Sequence, residues 1–249
     1  MQENNIQKRE KMIRKFSDVE QLNHEAAKMF VQHAGDAIAA KGHFTVALTG
    51  GSSPAGLYRL LAASPYREQV EWDHVYIFWG DERWVPLDDE RSNARMTFET
   101  LLDHVSIPRA QIFPMWADGV SPDEFAREYE QSLRLHLHPD GRFDLILLGM
   151  GADGHTASWF PHTGVLHEYN KWVVAYYLKP QDMYRITLTV PLVNRANHIA
   201  VIAYGAGKAE ALYEVLRGAR NFEQYPAQLI DRAGDRVTWL VDEAAAAKL

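Results

Sequence analysis

The chain has 249 residues, of which 47% are hydrophobic, and a formal net charge of −7 at pH 7. This length permits one large α/β domain or two small ones, and the apolar fraction suffices for a core that needs no stabilising metal or disulfide. Because the chain contains no cysteine, a disulfide framework, a thiolate nucleophile and a cysteine-ligated zinc are excluded. The acidic balance argues against a nucleic-acid partner, since binding to a phosphate backbone needs a basic surface.

The N-terminal stretch and the hydropathy pattern bear on location and domain organisation. No apolar run is long enough to span a bilayer, and residues 1–15 are charged and lack the apolar segment of a secretory signal. We therefore predict a cytoplasmic protein without a membrane partner, either a monomer or a weak homo-oligomer. Residues 1–17 are predicted to be a solvated N-terminal lead-in, and residues 18–249 a single α/β domain.

Helix and strand patterns alternate along the whole chain. Asp18 can cap a helix that runs to about Lys41 and stops at Gly42. Further helices are predicted from apolar spacing and capping residues, and we expect residues 154–159 to begin one more. These further predicted helices are 55–63, 93–102, 122–137, 209–216 and a short turn at 226–230. The predicted strands are 44–48, 74–79, 111–115, 143–148, 172–178, 185–190, 198–204 and 236–241.

Such an alternation predicts a doubly wound α/β fold, with a mostly parallel sheet flanked by helices. In sheets of this kind, ligands bind beyond the carboxyl ends of the strands. Four polar loops follow predicted strands and are expected to meet at that edge. They are 49–54, 80–86, 149–155 and 205–208.

The loop at 149–155 has the sequence Gly-Met-Gly-Ala-Asp-Gly-His and carries the most distinctive candidate residues, Asp153 and His155. His155 can be a general base with a pKa near the working pH, a buried structural histidine, or a helix-start cap. A metal site would recruit His162 and His167 as well, but the spacing matches no standard zinc pattern. A Ser-His-Asp triad is disfavoured because the chain has no Gly-x-Ser-x-Gly elbow.

Other candidate residues suit an anionic ligand. The run Gly50-Gly51-Ser52-Ser53 can present backbone N–H groups and hydroxyls to a phosphate, although an ordinary tight turn has the same composition. It matches neither the Walker nor the dinucleotide-binding pattern. Lys208 and Arg185 are individually typical of a solvated helix start and a sheet edge, but beside this loop they would complete a monophosphate pocket.

A third group of candidates follows the predicted strand at 74–79. Asp81 and Arg83 emerge at the strand end, where an arginine can hold a carboxylate or a developing oxyanion. A solvated turn is the alternative. The bulky neighbours Trp84 and Pro86 favour a shaped wall instead.

These motifs resemble those of the 6-phosphogluconolactonase family, within the superfamily of glucosamine- and galactosamine-6-phosphate isomerases. The resemblance extends from about residue 46 to 210 in the family's order and spacing, although relatives more usually carry leucine at the position of Trp159. The matching motifs are 48–54 (Leu-Thr-Gly-Gly-Ser-Ser-Pro), 79–86 (Trp-Gly-Asp-Glu-Arg-Trp-Val-Pro), 92–93 (Ser-Asn), 148–161 (Leu-Gly-Met-Gly-Ala-Asp-Gly-His-Thr-Ala-Ser-Trp-Phe-Pro), 185–189 (Arg-Ile-Thr-Leu-Thr) and 205–209 (Gly-Ala-Gly-Lys-Ala).

The resemblance implies a fold like that of glucosamine-6-phosphate deaminase. It also implies hydrolysis of 6-phospho-D-glucono-1,5-lactone in the oxidative pentose phosphate pathway, without metal or cofactor. His155 would be the catalytic group and Arg83 would face the reacting end, while Asp153 and Asp81 would orient the sugar ring or water. The phosphate would be held by Gly50, Gly51, Ser52, Lys208 and Arg185.

Two other functions share the fold. Amino-sugar phosphate deaminases and isomerases keep a similar Asp-Gly-His loop but have Asp-Glu-Tyr where this chain has Asp81, Glu82 and Arg83. A sugar-phosphate-sensing domain of a transcription regulator would need a helix-turn-helix and a basic face. The chain is acidic and has one long helix before its first predicted strand, so it meets neither requirement.

Overall fold

The computed structural model describes residues 13–51, 53–137 and 139–249, and for residues 231–235 it describes the backbone alone. The strands in these ranges are β1 Ile13–Phe16, β2 Phe44–Leu48, β3 Val75–Trp79, β4 Asp81–Arg83, β5 Leu145–Gly149, β6 Val173–Leu178, β7 Met183–Leu188, β8 His198–Ala203 and β9 Val237–Asp242. The α-helices are α1 Val19–Lys41, α2 Ala55–Leu61, α3 Asn93–Thr100, α4 Pro122–His136, α5 Val190–Val193 and α6 Ala209–Leu216.

Six strands form a parallel sheet in the order β1-β9-β8-β5-β2-β3. Every residue of β2, β8 and β9 is buried except the partly exposed His198, as expected where helices cover both faces of a parallel sheet. The prediction of a mostly parallel sheet flanked by helices is confirmed. Because the strands are parallel, β2, β3, β5 and β8 all deliver their following loops to one edge.

The ends of α1 show how local chemistry sets a boundary. The Asp18 side chain accepts a hydrogen bond from the backbone N–H of Gln21 at 2.8 Å, and Gly42 adopts the left-handed conformation with φ of 83°. These are the N-cap and C-cap that the sequence predicts. None of the helices within the described ranges is long and apolar enough to cross a membrane.

A second sheet of three antiparallel strands, in the order β4-β7-β6, was not predicted. The sequence predicts a loop at Asp81–Arg83, whereas these residues pair with Thr187, Ile186 and Arg185 of β7. The pairing has a consequence for the site, because it sets Arg83 opposite Arg185 and Asp81 opposite Thr187.

Three local predictions are wrong. The strand predicted at 111–115 is reduced to a single bridge between Ile112 and Ile77, because Pro114 has no N–H to continue a ladder. Residues 154–159 form a turn instead of a helix, and Ala157 adopts a positive φ of 46°. Within the predicted lead-in, Ile13–Phe16 form β1 and pair with β9, while residues 1–12 lie outside the described ranges.

Candidate active site

The four polar loops meet in one cleft at the carboxyl edge of the large sheet. Ser52, a predicted phosphate ligand, lies outside the described residues. The cleft is also lined by three residues from outside these loops, Asn93, Ala157 and Arg185. The lining residues from the loops are Thr49, Gly50, Gly51, Ser53, Asp81, Arg83, Gly149, Met150, Gly151, His155 and Lys208.

His155 and Asp153 form a close pair at this edge. The imidazole Nδ1 lies 2.5 Å from Asp153 Oδ1, and the same oxygen accepts the backbone N–H of His155 at 3.1 Å. Gly151 makes this approach possible, since a Cβ there would lie 2.1 Å from His155 Nδ1 and 2.5 Å from Asp153 Oδ1. With Nδ1 engaged, the second ring nitrogen, Nε2, is left for chemistry in the cleft.

The electrostatics of the pair favour a charged carboxylate. Burial acts to raise the pKa of Asp153, but the hydrogen bonds and charge of His155 outweigh it, so the pKa lies below its usual value. Lys208 lies close enough to Asp153 to feel its charge. Burial lowers the pKa of the Lys208 ammonium, and the carboxylate partly offsets that effect.

Asp81 and Arg185 form a buried ion pair in the wall of the cleft. Nη2 of Arg185 donates to Asp81 Oδ2 at 2.9 Å, and Nε donates to Ser158 Oγ at 2.9 Å. Ser158 in turn donates to Asp81 Oδ2 at 2.6 Å, and Nη1 of Arg185 reaches Gln181 at 3.2 Å. This network satisfies a buried charge in the way that the low-dielectric interior requires.

Glu82, between the two candidate residues of β4, is fully buried and points away from the cleft lining. Its carboxylate accepts the backbone N–H groups of Arg83, Asn93 and Ala94, each at 2.8 Å, and the hydroxyl of Ser92 at 3.1 Å. Burial raises its pKa to about 7, against these hydrogen bonds, which lower it. Glu82 therefore ties β4 to the first turn of α3.

Arg83 lies in the cleft with one end anchored. Nη1 donates to the backbone carbonyl of Arg91 at 2.6 Å, while Nε is buried without a partner among the described residues. Burial lowers the pKa of the guanidinium, and the nearby Arg185 lowers it further. A partly desolvated guanidinium that lines the cleft is suited to an anionic ligand.

Asn93 lies in one of the sequence motifs, which assign it no role. It is 2% exposed, and Nδ2 donates to the backbone carbonyl of Asp81 at 2.9 Å. A Cβ on Gly50 would lie 1.8 Å from Asn93 Oδ1. The glycine loop and the first turn of α3 are thus packed against each other so closely that position 50 has no room for a side chain.

The alternative metal site finds no support in the placement of its histidines. His162 contacts Gln224 at 3.2 Å, and His167 pairs with Glu223 at 2.6 Å. Within the described part of the chain, no three His, Asp or Glu side chains are grouped closely enough to hold a metal ion.

The sequence and the fold of this chain match those of a known family. Residues 17–239 match the family described as glucosamine-6-phosphate isomerases/6-phosphogluconolactonase. The 6-phosphogluconolactonase of Synechocystis is 40% identical over 217 residues, which cover 86% of this chain and 88% of that protein. The solved 6-phosphogluconolactonase of Trypanosoma brucei superposes with a TM-score of 0.84 at 26% identity, covering 96% and 98% of the two chains.

A solved monomeric glucosamine-6-phosphate deaminase shares the fold, with a TM-score of 0.81 at 22% identity over 95% of this chain and 99% of that one. This likeness confirms the predicted deaminase-like architecture. The chain belongs to the glucosamine-6-phosphate isomerase/6-phosphogluconolactonase family, and within it to the 6-phosphogluconolactonases, as its motifs predict.

Proposed function

We propose that this chain hydrolyses 6-phospho-D-glucono-1,5-lactone to 6-phosphogluconate by a histidine-assisted attack of water. The proposal rests on the placement of a base and of phosphate-binding groups in one cleft. The His155–Asp153 pair opens into the same cleft as a glycine-rich loop and the cationic side chains of Arg83, Arg185 and Lys208. A base at one end and a phosphate cradle at the other are what a sugar-phosphate lactone requires.

His155 is the proposed general base. Its Nδ1–H donates to Asp153, so Nε2 carries the free lone pair and takes a proton from water. The water oxygen bonds to the lactone carbonyl carbon, and the carbonyl π pair moves to oxygen. When the tetrahedral intermediate collapses, the bond to the ring oxygen breaks and that oxygen receives the proton back from Nε2. Asp153 holds the ring tautomer and orientation throughout.

Arg83 is the proposed partner of the developing oxyanion. Its guanidinium is anchored on the carbonyl of Arg91, so little reorganisation is needed when negative charge forms. The same group would then face the carboxylate of the product. The hydrogen bonds of Glu82 to the first turn of α3 hold β4, and with it this arginine, in place beside the cleft.

The phosphate is assigned to the loop at Gly50, Gly51 and Ser52, with Lys208 and Arg185 as cations. The assignment of Ser52 rests on the family motif alone. Arg185 is already committed to Asp81, Ser158 and Gln181 through three of its five N–H groups. The remaining N–H groups are available to a phosphate, and binding energy at this remote end positions the carbonyl.

Asp81 is proposed to act mainly through Arg185. Both of its described side-chain bonds use Oδ2, which leaves Oδ1 to contact water or the sugar ring. The predictions of a cytoplasmic location and of a reaction without metal or cofactor stay predictions.

A coupled assay tests the proposal. Freshly generated lactone is supplied to the purified protein, product is followed with 6-phosphogluconate dehydrogenase, and the spontaneous rate is subtracted. We expect turnover of the lactone and none of glucosamine 6-phosphate, with no change after treatment with EDTA. Deamination of glucosamine 6-phosphate without lactone turnover would overturn the proposal, and loss of activity on chelation would contradict its metal-free chemistry.

A further inference from the structure

Phe160 packs flat against the proposed base. Its ring centroid lies 4.2 Å from that of the His155 imidazole with an angle of 26° between the planes, and Phe160 is 9% exposed. A hydrogen bond at Nδ1 fixes one atom of an imidazole but leaves the ring plane free to rotate about it. A stacked aromatic ring removes that freedom, because rotation would drive the imidazole into the neighbouring face.

The backbone around Phe160 is held in place at a conformational cost. Ala157 and His162, on either side, adopt positive φ angles of 46° and 60°. Residues other than glycine rarely adopt such angles. Two hydrogen bonds hold this segment. Trp159 Nε1 donates to the carbonyl of Leu188 at 2.7 Å, and Thr163 donates to the carbonyl of Phe160 at 2.6 Å.

Phe160 is not a simple filler of the core. It lines a second cavity together with Asp153 and Gln181, whereas His155 lines the cleft and not that cavity. His155 therefore lies on the cleft side of the stacked pair and Phe160 on the cavity side.

The same ring also contacts a cation of the cleft. The guanidinium carbon of Arg185 lies 5.5 Å from the centroid of Phe160, within the range of a cation–π contact. One aromatic side chain thus touches both the proposed base and a proposed phosphate ligand.

We propose that Phe160 is a positioning residue for catalysis, which fixes the plane of the His155 imidazole so that Nε2 points at the reacting water. The inference rests on the proposed function, since it needs His155 to act as the base. It predicts that loss of the aromatic face lowers kcat, which depends on alignment in the transition state. KM should stay nearly unchanged, because three hydrogen bonds hold the Arg185 guanidinium without the ring.

The test begins with Phe160→Leu, which keeps an apolar side chain but removes the flat ring. We expect kcat to fall about 10-fold or more while KM stays within about twofold of the wild type. Phe160→Tyr keeps the ring and should lose less than about threefold. Phe160→Met is a second aliphatic variant, for use if the leucine variant does not fold.

A matched control separates alignment from packing. Phe113 stacks on Phe78 with centroids 4.6 Å apart and planes at 6°, away from the cleft. Phe113→Leu should lower stability and leave kcat unchanged. A fall in kcat for Phe113→Leu as large as that for Phe160→Leu would overturn the proposal.

A double-mutant cycle makes the test decisive. In a His155→Ala background, Phe160→Leu should cause no further loss of kcat, because a residue that acts only through His155 has nothing left to align. Multiplicative losses would overturn the positioning role, as would wild-type kcat in Phe160→Leu. Failure of the proposed function has a different signature, namely a His155→Ala single variant with wild-type turnover.

Discussion

Nη2 of Arg185 donates a hydrogen bond to Oδ2 of Asp81 at 2.9 Å, and only 4% and 7% of the two side chains is exposed. Ser158 donates to the same carboxylate oxygen. The pair joins two strands of the small sheet, β4 and β7, to the loop that follows β5. A buried ion pair of this kind is costly to break, because the remaining charge has no solvent to replace its partner.

Replacing Asp81 by asparagine should therefore lower the free energy of unfolding by about 3 kcal/mol, measured by urea denaturation. The matched control is Asp103→Asn, whose ion pair with Arg109 has side chains 49% and 73% exposed. We expect that change to cost less than about 1 kcal/mol. Equal losses in the two variants would contradict the account of Asp81 as half of a buried pair.

Gly151→Ala should damage catalysis more than stability. The new Cβ would lie 2.1 Å from His155 Nδ1 and 2.5 Å from Asp153 Oδ1. These are side-chain atoms that can move away, so the fold survives while the pair is separated. We expect kcat to fall roughly 100-fold and the thermal midpoint to change little, measured by steady-state kinetics and calorimetry on the same preparation. A large loss of stability with normal kcat would contradict this geometry.

Gly50→Ala tests the contact between the glycine loop and α3. Its Cβ would lie 1.8 Å from Asn93 Oδ1, so Asn93 would lose its hydrogen bond to Asp81 or the loop would shift. We expect KM for the lactone to rise on the order of 10-fold, because the backbone groups proposed to hold the phosphate are displaced. Gly164→Ala is the control, since no atom lies within 4 Å of a Cβ at that position; a similar rise there would contradict the assignment.

The stability of the fold should depend on pH through His198. Its ring stacks on His33 with centroids 4.5 Å apart, and Nε2 lies 3.1 Å from Thr238 Oγ1. Burial, together with the charges of His33 and Arg14, lowers its pKa from 6.5 to about 4. Between these two values the unfolded chain binds a proton that the folded chain refuses, so stability falls as the pH drops from about 6.5 to about 4.

For this partly exposed group we expect a loss on the order of 1 kcal/mol across that window, after allowance for solvent screening. His198→Gln should flatten the dependence, measured as the free energy of unfolding in urea at pH 7, 6, 5 and 4. The window contains other contributions, since burial also lowers the pKa of His33, beside Asp36 and Asp144. An unchanged slope in the variant would contradict the assignment to His198.

The helices and strands that the sequence predicts well are those whose ends are set by nearby residues, such as caps or polar residues that bound an apolar run. Helix α1 begins and ends where Asp18 and Gly42 place it, and β2 spans the predicted residues because its apolar run is bounded by polar ones. The small edge strand β1 carries no such pattern. Its two central residues are charged, and it exists because β9 offers a parallel partner far away in the chain.

In the candidate site, too, some features follow from the sequence pattern and others depend on tertiary contacts. The meeting of the four loops is a consequence of parallel strands, so the sequence predicts it. Asn93, Ser158 and Phe160 acquire their importance only from tertiary contacts with Gly50, Asp81 and His155. The segment at 154–159 shows why local signals fail here. Its apolar and small residues favour a helix, but the Trp159–Leu188 hydrogen bond and the Ser158 network hold it as a turn.

The role of His155 as the base is tested most directly by His155→Ala, with lactone turnover measured above the spontaneous rate. We expect kcat to fall roughly 10²–10⁴-fold with little change in KM. The control is His167→Ala, which removes an exposed histidine paired with Glu223 and should keep wild-type turnover. Near-normal kcat in His155→Ala would contradict the assignment of His155 as the general base.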